Sequence, residues 1–500
     1  MVTIEELSVF CKKKGIVFPT AEIYGGLSGF FDYGPLGVEL KNNIKQHWWQ
    51  RFVKQREDIV GVDGAIITNP KVWQASGHVE CFEDVLVEDT KTKERYRADI
   101  LIEDALKIRA DGLRADDLWK LIEKNKIKSP KGNPLSPPRQ FNLMFSTNVG
   151  PTETETSKAY LRPETAQLIF TNFKLVQESS RMKLPFGIAQ IGKAFRNEIS
   201  PRDFLFRSRE FEQMEIEYFV DAKSAAPSYK EITFKFLSAE EQAASTSFVH
   251  TTAVKLIKQK KLSPMHAYWL MQAYQWYVDI GINPDKLRVR EHTKDELSHY
   301  ASATFDIEYE FPIGWKEIHG SADRGTFDLT QHEKTSKVQL RFFDEASKTN
   351  ILPAVIEPSW GVDRALLAVL CDAYDDDKKR GNIVLKIHPK LVAMQLGIFP
   401  LVKNKPEIVD CARSIFEELR CCYTTQYDDG GSIGRRYARA DEMGILLCAT
   451  IDFESLDDRC VTLRHRDTTK QIRVKISELR NVVFDILNGK DFEKCGKLVK

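Results

Sequence analysis

The sequence has little of what marks a secreted or membrane-spanning chain. Its nine cysteines are scattered over 500 residues without framework spacing, and Cys421 and Cys422 are adjacent, which suits neither an ordinary disulfide nor a CxxC metal site. Reduced thiols and a cytoplasmic location are the expectation, with an organellar isoform left open. No run of about 18 apolar residues is present to cross a bilayer. The start, MVTIEELSVFCKKKGIVF, puts acids before lysines and has no basic segment leading into an apolar one, so no secretory signal is expected. Net charge is also scarce. Lysine plus arginine number 73 against 72 acidic residues, a balance of +1, so any contact with nucleic acid must come from a local patch. Repeats and low-complexity tracts are absent. What remains is globular: 42% apolar and 10% aromatic residues, enough for two or three domains with real cores.

Several segments have clear periodicity. PLGVELKNNIKQHWWQRFVKQR (35–56) reads as a helix with Pro35 in its first turn, and IVGVDGAIITNP (59–70) as a strand stopped by Pro70. Residues 98–140 are charged and then proline-rich, the pattern of an inserted helix and linker. Residues 225–285 read as helical and aromatic. LPAVIE (352–357) reads as a buried strand leading into the helix GVDRALLAVLCDAY, whose apolar positions 362, 365, 366, 369, 370 and 373 share one face. After the charged break DDDKKRGN (375–382) strands and helices alternate, which predicts a compact α/β domain from about 388 onward.

The densest chemistry lies at 195–215, FRNEISPRDFLFRSREFEQME, with four arginines and five acidic residues in 21 positions. Side chains alternate across a strand, so the two flanking runs predict a hairpin. Gln190, Gly192, Arg196 and Glu198 fall on one face of the first strand. Arg207, Arg209, Phe211, Gln213 and Glu215 share a face of the second, with Met214, Ile216, Tyr218 and Val220 on its buried side. A hairpin face that is merely wet is the common alternative. Phe211 in the middle of the charges favours a ligand instead, because arginine forks match phosphate oxygens and an aromatic face stacks a purine. Arg364 opens a helix after a buried strand, where free amide groups attract anions. In GWKEIHGSADRGTFDLTQH, Glu317, Asp323 and Asp328 offer carboxylates to magnesium. His319 and His332 are too far apart for a zinc motif and no cysteine pair accompanies them, so no zinc is expected.

FRNE, followed by RSREF, resembles motif 2 of the class II aminoacyl-tRNA synthetases, GVDR resembles the end of their motif 3, and the helix and strand ending at Pro70 are similar to motif 1. YLRPETAQ, SREFEQME, EPSWGVDR, GGLSGFFDYGPLG and GSIGRRYARADEMG narrow the likeness to the homodimeric glycyl-tRNA synthetase family, over nearly the whole chain. The resemblance implies an α+β catalytic domain over 1–385, with a mainly antiparallel sheet flanked by helices and insertions near 98–140 and 225–292. It further implies a C-terminal α/β anticodon-binding domain over 386–500. The implied reaction uses ATP and Mg2+ to activate glycine and transfers it to glycine tRNA, in a homodimer with no membrane partner.

By the same resemblance Arg196, Glu198 and Arg364 are the catalytic set. Arg196 meets the α-phosphate and the glycine carboxylate, Glu198 the adenine amino group, Phe211 the adenine ring, and Arg207 and Arg364 the γ-phosphate. Asn197, Phe206, Ile318 and Gly361 complete the ATP contacts, and Glu317 is the carboxylate for magnesium. Glu164, Glu215 and Glu357 surround the glycine ammonium and Ser359 stands against its α-carbon, with Arg97 a further candidate near the substrate. Glycine has no smaller competitor, so no editing domain is expected. Arg435, Arg436 and Arg439 give the C-terminal domain a basic character suited to RNA, with helical surface charge an equal alternative.

Overall fold

The computed structural model describes residues 2–499 except 109, 111–112, 152–156, 222, 245–246 and 299. Its centre is a nine-stranded sheet. In chain order the strands are β1 (Ile59–Val62), β2 (Phe186–Phe195), β3 (Glu210–Val220), β4 (Thr233–Leu237), β5 (Val249–Thr252), β6 (Leu287–Glu291), β7 (Ala303–Phe311), β8 (Gly314–Gly325) and β9 (Ala354–Gly361). They lie side by side in the order β5-β4-β6-β7-β8-β9-β3-β2-β1. Six of the eight neighbouring pairs are antiparallel; β1–β2 and β4–β6 are parallel.

The helices that flank the sheet are α1 (Pro35–Trp49), α2 (Ala166–Ser180), α3 (Pro264–Asp279), α4 (Phe327–Ser336) and α5 (Val362–Ala373). Pro35 sits at the first position of α1, where its missing N–H costs nothing. The six positions read as one face of α5 are all buried, and so are Leu367, Ala368 and Cys371, so this helix is enclosed on more than one side.

The predicted hairpin is present as β2 and β3, whose register sets Gln190 opposite Glu215 and Gly192 opposite Gln213. Met214, Ile216 and Tyr218 join the core shared with α1, α3 and α5. The other face is also covered. Phe219 packs in a second core with Phe170, Phe173 and Phe186, at 4.5 Å from the Phe173 ring. Between that core and the front of the strand, Glu215 and Glu217 are buried. Parity sorts side chains to faces but says nothing of what covers them, and here helix α2 lies on the charged face. Ser359 stands opposite Glu215 on β9, whereas Trp360 points the other way and packs against Trp48, Phe52 and His319 at 5.4, 5.0 and 4.6 Å between ring centroids. Trp360 is therefore core and not a wall of the site.

Three expectations need correction. IVGVDGAIITNP is two short strands in different sheets, Ile59–Val62 and Ile67–Thr68, because glycines and Asp63 interrupt it. Residues 225–285 contain β4 and β5 as well as the long helix α3; the alternation in TFKFL, with Phe234 and Phe236 inward and Lys235 outward, is a strand signal that the surrounding aromatics hide. Residues 98–140 carry two helices, Ala98–Leu106 and Ala115–Asn125, and the strand Arg139–Asn142, which belongs to a three-stranded sheet with Glu83–Glu88 and Arg95–Arg97. Positions 109 and 111–112 of that segment, and 245–246 of the previous one, lie outside the described residues.

A six-stranded sheet follows near the C-terminus. Its strands are β10 (Leu396–Pro400), β11 (Thr425–Tyr427), β12 (Leu447–Ile451), β13 (Cys460–His465), β14 (Gln471–Lys475) and β15 (Lys497–Leu498), in the order β11-β10-β12-β13-β14-β15. Helices α6 (Pro406–Leu419), α7 (Ile433–Met443) and α8 (Leu479–Leu487) accompany it. Among the described residues no helix is long and apolar enough to cross a membrane. Because Trp360 fills the junction of three aromatic side chains, Trp360→Ala is expected to lower the unfolding free energy by about 3–5 kcal/mol in denaturant titrations. A loss below about 1 kcal/mol would show that the junction repacks.

Candidate active site

Four pieces of chain converge where β3 begins. They are the exit of β2 (Arg196–Glu198), the turn Phe204–Phe206 with Arg207, the N-terminus of α5 with Gly361 as its cap, and Glu317 on β8. Arg196, Glu198, Arg207, Phe211, Glu317 and Arg364 line the resulting open cleft, which holds about 640 Å³ of atom-free space including its mouth.

The polar groups of this cleft are held but not used up. Arg196 donates through Nε to Pro163 O at 3.1 Å, and its guanidinium lies between the rings of Phe82 and Phe211 at 5.3 and 5.2 Å. Its two terminal nitrogens make no hydrogen bond to a described residue. Glu198 Oε2 and Arg207 Nη1 are buried without a hydrogen-bond partner among the described residues, and the nearest approach of the two side chains is 3.9 Å. Buried polar atoms are nearly always paired, so an orphaned acceptor and donor side by side mark a place for a ligand. Arg364 is held at 2.9 Å from Glu317 Oε2 and lies 4.5 Å over the Phe206 ring. Beneath the cleft, Asp363 accepts from the Glu212 amide at 2.6 Å, from Lys41 at 3.2 Å and from the Tyr33 hydroxyl, which ties α5 to β3. Asn197 and Ile318 do not line the cleft by their side chains. Ile318 is core, and its carbonyl accepts from Tyr277 Oη at 2.7 Å.

Behind the cleft is a buried acidic pocket. Glu164, Glu215, Glu217 and Glu357 are 7, 1, 0 and 9% exposed, and Asp328 is 2% exposed. Among the described residues one arginine, Arg324, pairs with this group. It holds Asp328 through two bonds of 2.8 and 2.9 Å and Glu357 Oε2 at 2.7 Å, lies 4.0 Å from Glu164, and faces the Tyr300 ring at 3.8 Å. Glu164 also accepts from Gln167 at 3.0 Å and lies 3.3 Å from His78 Nε2. Glu215 takes the Thr165 hydroxyl. Burial pushes Glu217 and Glu357 well above the usual carboxylate range, and the charge of Arg324 only partly opposes it. Burial raises Glu215 too, reinforced by the charge of Glu164. Glu164 goes the other way: against its burial, His78, Arg324 and Gln167 hold it well below that range.

This placement amends the expectations. Glu317, Asp323 and Asp328 do not converge among the described residues. Asp328 is consumed by Arg324, and Asp323 accepts from the Gly325 amide at 3.1 Å, so only Glu317 remains at the cleft. Arg97 pairs with Asp84 and Asp99 at 3.0 and 3.1 Å, and its charge bears on Glu198 and Arg207. Arg209 does not face the cleft; it braces the chain by donating to Glu198 O and Ser28 O at 3.0 and 2.9 Å. Arg436 is buried, donating to Pro400 O, to Leu401 O at 3.3 Å and to Gly431 O at 3.0 Å, so it is not an RNA-facing charge. Arg435 is exposed, and Arg439 pairs with Asp428 at 2.6 Å. Sequence reasoning missed Arg324 and Glu217. The signals were present: Arg324 and Asp328 stand four apart at a helix start, and Glu217 is two residues from Glu215 on the same strand face. Removing Arg324 leaves Asp328 and Glu357 buried without a cation, so Arg324→Ala is expected to cost about 3–5 kcal/mol of stability by denaturant unfolding. A cost under about 1 kcal/mol would mean that water reaches the pair.

Residues 150–373 match the tRNA synthetase class II core domain of the G, H, P, S and T group, and residues 395–485 match an anticodon binding domain. The glycine–tRNA ligase of Acetivibrio thermocellus is 45% identical, over 95% of this chain and 97% of the relative. Those of Geobacillus thermodenitrificans and Ruminiclostridium cellulolyticum are 44 and 43% identical, over 96 and 95% of this chain and 96 and 97% of theirs. On these matches, which span nearly the whole chain, it belongs to the glycine–tRNA ligase family of class II aminoacyl-tRNA synthetases.

Proposed function

We propose that the chain activates glycine with ATP to glycyl adenylate and then transfers the glycyl group to the 3′ end of glycine tRNA. The observation that carries this reading is the junction of a cleft with orphaned donors and acceptors and a buried pocket in which carboxylates outnumber arginine. A nucleotide suits the first and a small ammonium the second.

The orphaned Glu198 Oε2 suits the adenine amino group, Phe211 its ring, and Arg207 with Arg364 the terminal phosphate. A glycine carboxylate oxygen attacks the α-phosphorus, and pyrophosphate leaves. The free terminal nitrogens of Arg196 neutralise the charge that grows on the transferring phosphoryl group, and no protein nucleophile is required. In the second step a ribose hydroxyl of the tRNA attacks the glycyl carbonyl and AMP departs. Glu317 fits a role with ATP-borne magnesium: its side chain is 45% exposed at the cleft, and Oε1 makes no hydrogen bond or ion pair with a described residue. Magnesium prefers one or two carboxylates plus phosphate oxygens and would screen the phosphate charge there.

The ammonium is assigned to Glu164, Glu215 and Glu357. Ser359 lies directly across from Glu215, and in this reading it meets any group larger than hydrogen on the α-carbon. Residues 1–385 are read as the catalytic domain and 386–500 as the anticodon-binding domain, in a homodimer joined through α1 and β1. Amino-acid-dependent ATP–pyrophosphate exchange tests the assignment. Glycine alone of the twenty amino acids is expected to support exchange; exchange with another amino acid, or with none, would overturn it. Arg196→Ala is expected to lower glycine-dependent exchange by about 10²–10³-fold while tRNA binding persists. Loss of tRNA binding with exchange intact would show that Arg196 is misassigned.

A further inference from the structure

Glu217 is the carboxylate that this chemistry leaves without a task. It is 0% exposed, and neither carboxyl oxygen meets a hydrogen-bond partner among the described residues. The register of β3 and β9 pairs Glu215 with Ser359 and Tyr218 with Ile356, which sets Glu217 directly opposite Glu357. Like charges facing each other across an antiparallel pair repel, and here they do so away from water. Oxygen atoms of Glu215, Glu217 and Glu357 all lie within 4.8 Å of one another.

The groups that bear on Glu217 can be followed element by element. Its own strand supplies Glu215, β9 supplies Glu357, β8 supplies Arg324, and the first turn of α4 supplies Asp328. The neighbouring strand β2 opposes it with Ile188, which is apolar. Tyr300 and Glu164 act on the same network through Arg324 and Glu357. Arg324 is already committed to Asp328 and Glu357. Glu215 and Glu217 add two further carboxyl groups beside an engaged guanidinium, an arrangement that buried carboxylates avoid by retaining protons in common.

We propose that Glu215, Glu217 and Glu357 share protons while the pocket is empty, and that Glu217 makes the entering glycine ammonium displace one of them to solvent. This rests on the reading of Glu215 and Glu357 as the ammonium site. The exchange balances: the ammonium keeps its three protons and its charge, one proton leaves a carboxyl group, and the net charge of the buried volume is unchanged. A cation thus enters a low-dielectric pocket without charging it, and a neutral molecule of the same size has nothing to displace. Glu217 is a positioning residue. Its presence keeps the pair in front of it protonated until a cation arrives.

The sign follows from linkage. The shared carboxyls bind their proton more tightly in the empty pocket than beside an ammonium, so glycine affinity rises with pH until the empty pocket has lost that proton, and is level above it. The experiment uses the full chain, with glycine-dependent exchange followed from about pH 5.5 to about pH 8.5, above the range of an ordinary carboxylate. Wild-type KM for glycine is expected to fall with rising pH, by up to about tenfold per unit, while KM for ATP stays flat. Glu217→Gln removes the crowding carboxylate and keeps the shape, so a flattened KM profile with kcat little changed is expected. Calorimetric titration of wild-type protein with glycine and a non-reacting ATP analogue, in buffers of different ionisation enthalpy, should report about one proton released. That measurement stands even if the variant does not fold. A flat wild-type KM profile, no proton release, or an unaltered slope in Glu217→Gln would overturn the proposal. Absence of any glycine-dependent exchange would instead remove the reading of the pocket on which it rests.

Discussion

The site depends on one buried guanidinium. Arg324 lies where β8, β9 and the start of α4 meet, and its bonds to Asp328 and Glu357 fix those elements to one another. Removing an ion from water costs several kcal/mol, which only well-placed partners offset, and the paired bonds to Asp328 supply such partners. Glu164, Glu215, Glu217, Glu357 and Asp328 are then more carboxylates than Arg324 can neutralise. The shortfall of positive charge is the binding feature, because a small cation with three donors completes what the protein leaves incomplete.

The nucleotide end is built on the opposite plan. There the charges are arginines on an open cleft, and their positions are set by aromatic rings and backbone carbonyls more than by acids. Arg196 sits between Phe82 and Phe211, and Arg364 lies over Phe206. Such contacts orient a guanidinium without neutralising it. Strand β3 joins the two plans: Phe211 at its front faces the cleft, Glu215 two turns of alternation later faces the pocket, and Phe219 anchors the same face in the core beneath α2. The reacting centre falls where basic and acidic ends meet.

Much of this was legible in the residues. The hairpin, its two faces, helix α5 and the positions of Phe211 and Glu215 follow from alternation; Arg196, Glu198 and Arg207 lie beyond the ends of the strands and were marked by the family's motifs. The rest was hidden because it depends on contacts distant in sequence. Glu217 opposes Glu357 across 140 residues of chain, a pairing that only the strand order reveals. Arg324 stood in a stretch read for its acids, and its role as their counter-charge requires knowing that β8 lies against β9. Arg436 shows the reverse error: a basic residue on an amphipathic helix reads as a surface charge, yet its side chain turns inward to carbonyls at the end of β10. Periodicity locates faces; it does not say which are wet.

The central claim is that the pocket crowds more carboxyl groups around Arg324 than it can neutralise, for the sake of an ammonium, at a cost in stability. Glu215→Gln tests it most directly, since Glu215 pairs with no cation among the described residues and accepts from Thr165 in a fully buried setting. Unfolding free energy should be measured in denaturant without ligand, alongside glycine-dependent exchange. Relief of carboxyl crowding is expected to make the variant more stable by about 1 kcal/mol while exchange is lost. A variant less stable than wild type that still exchanges with glycine would contradict the account.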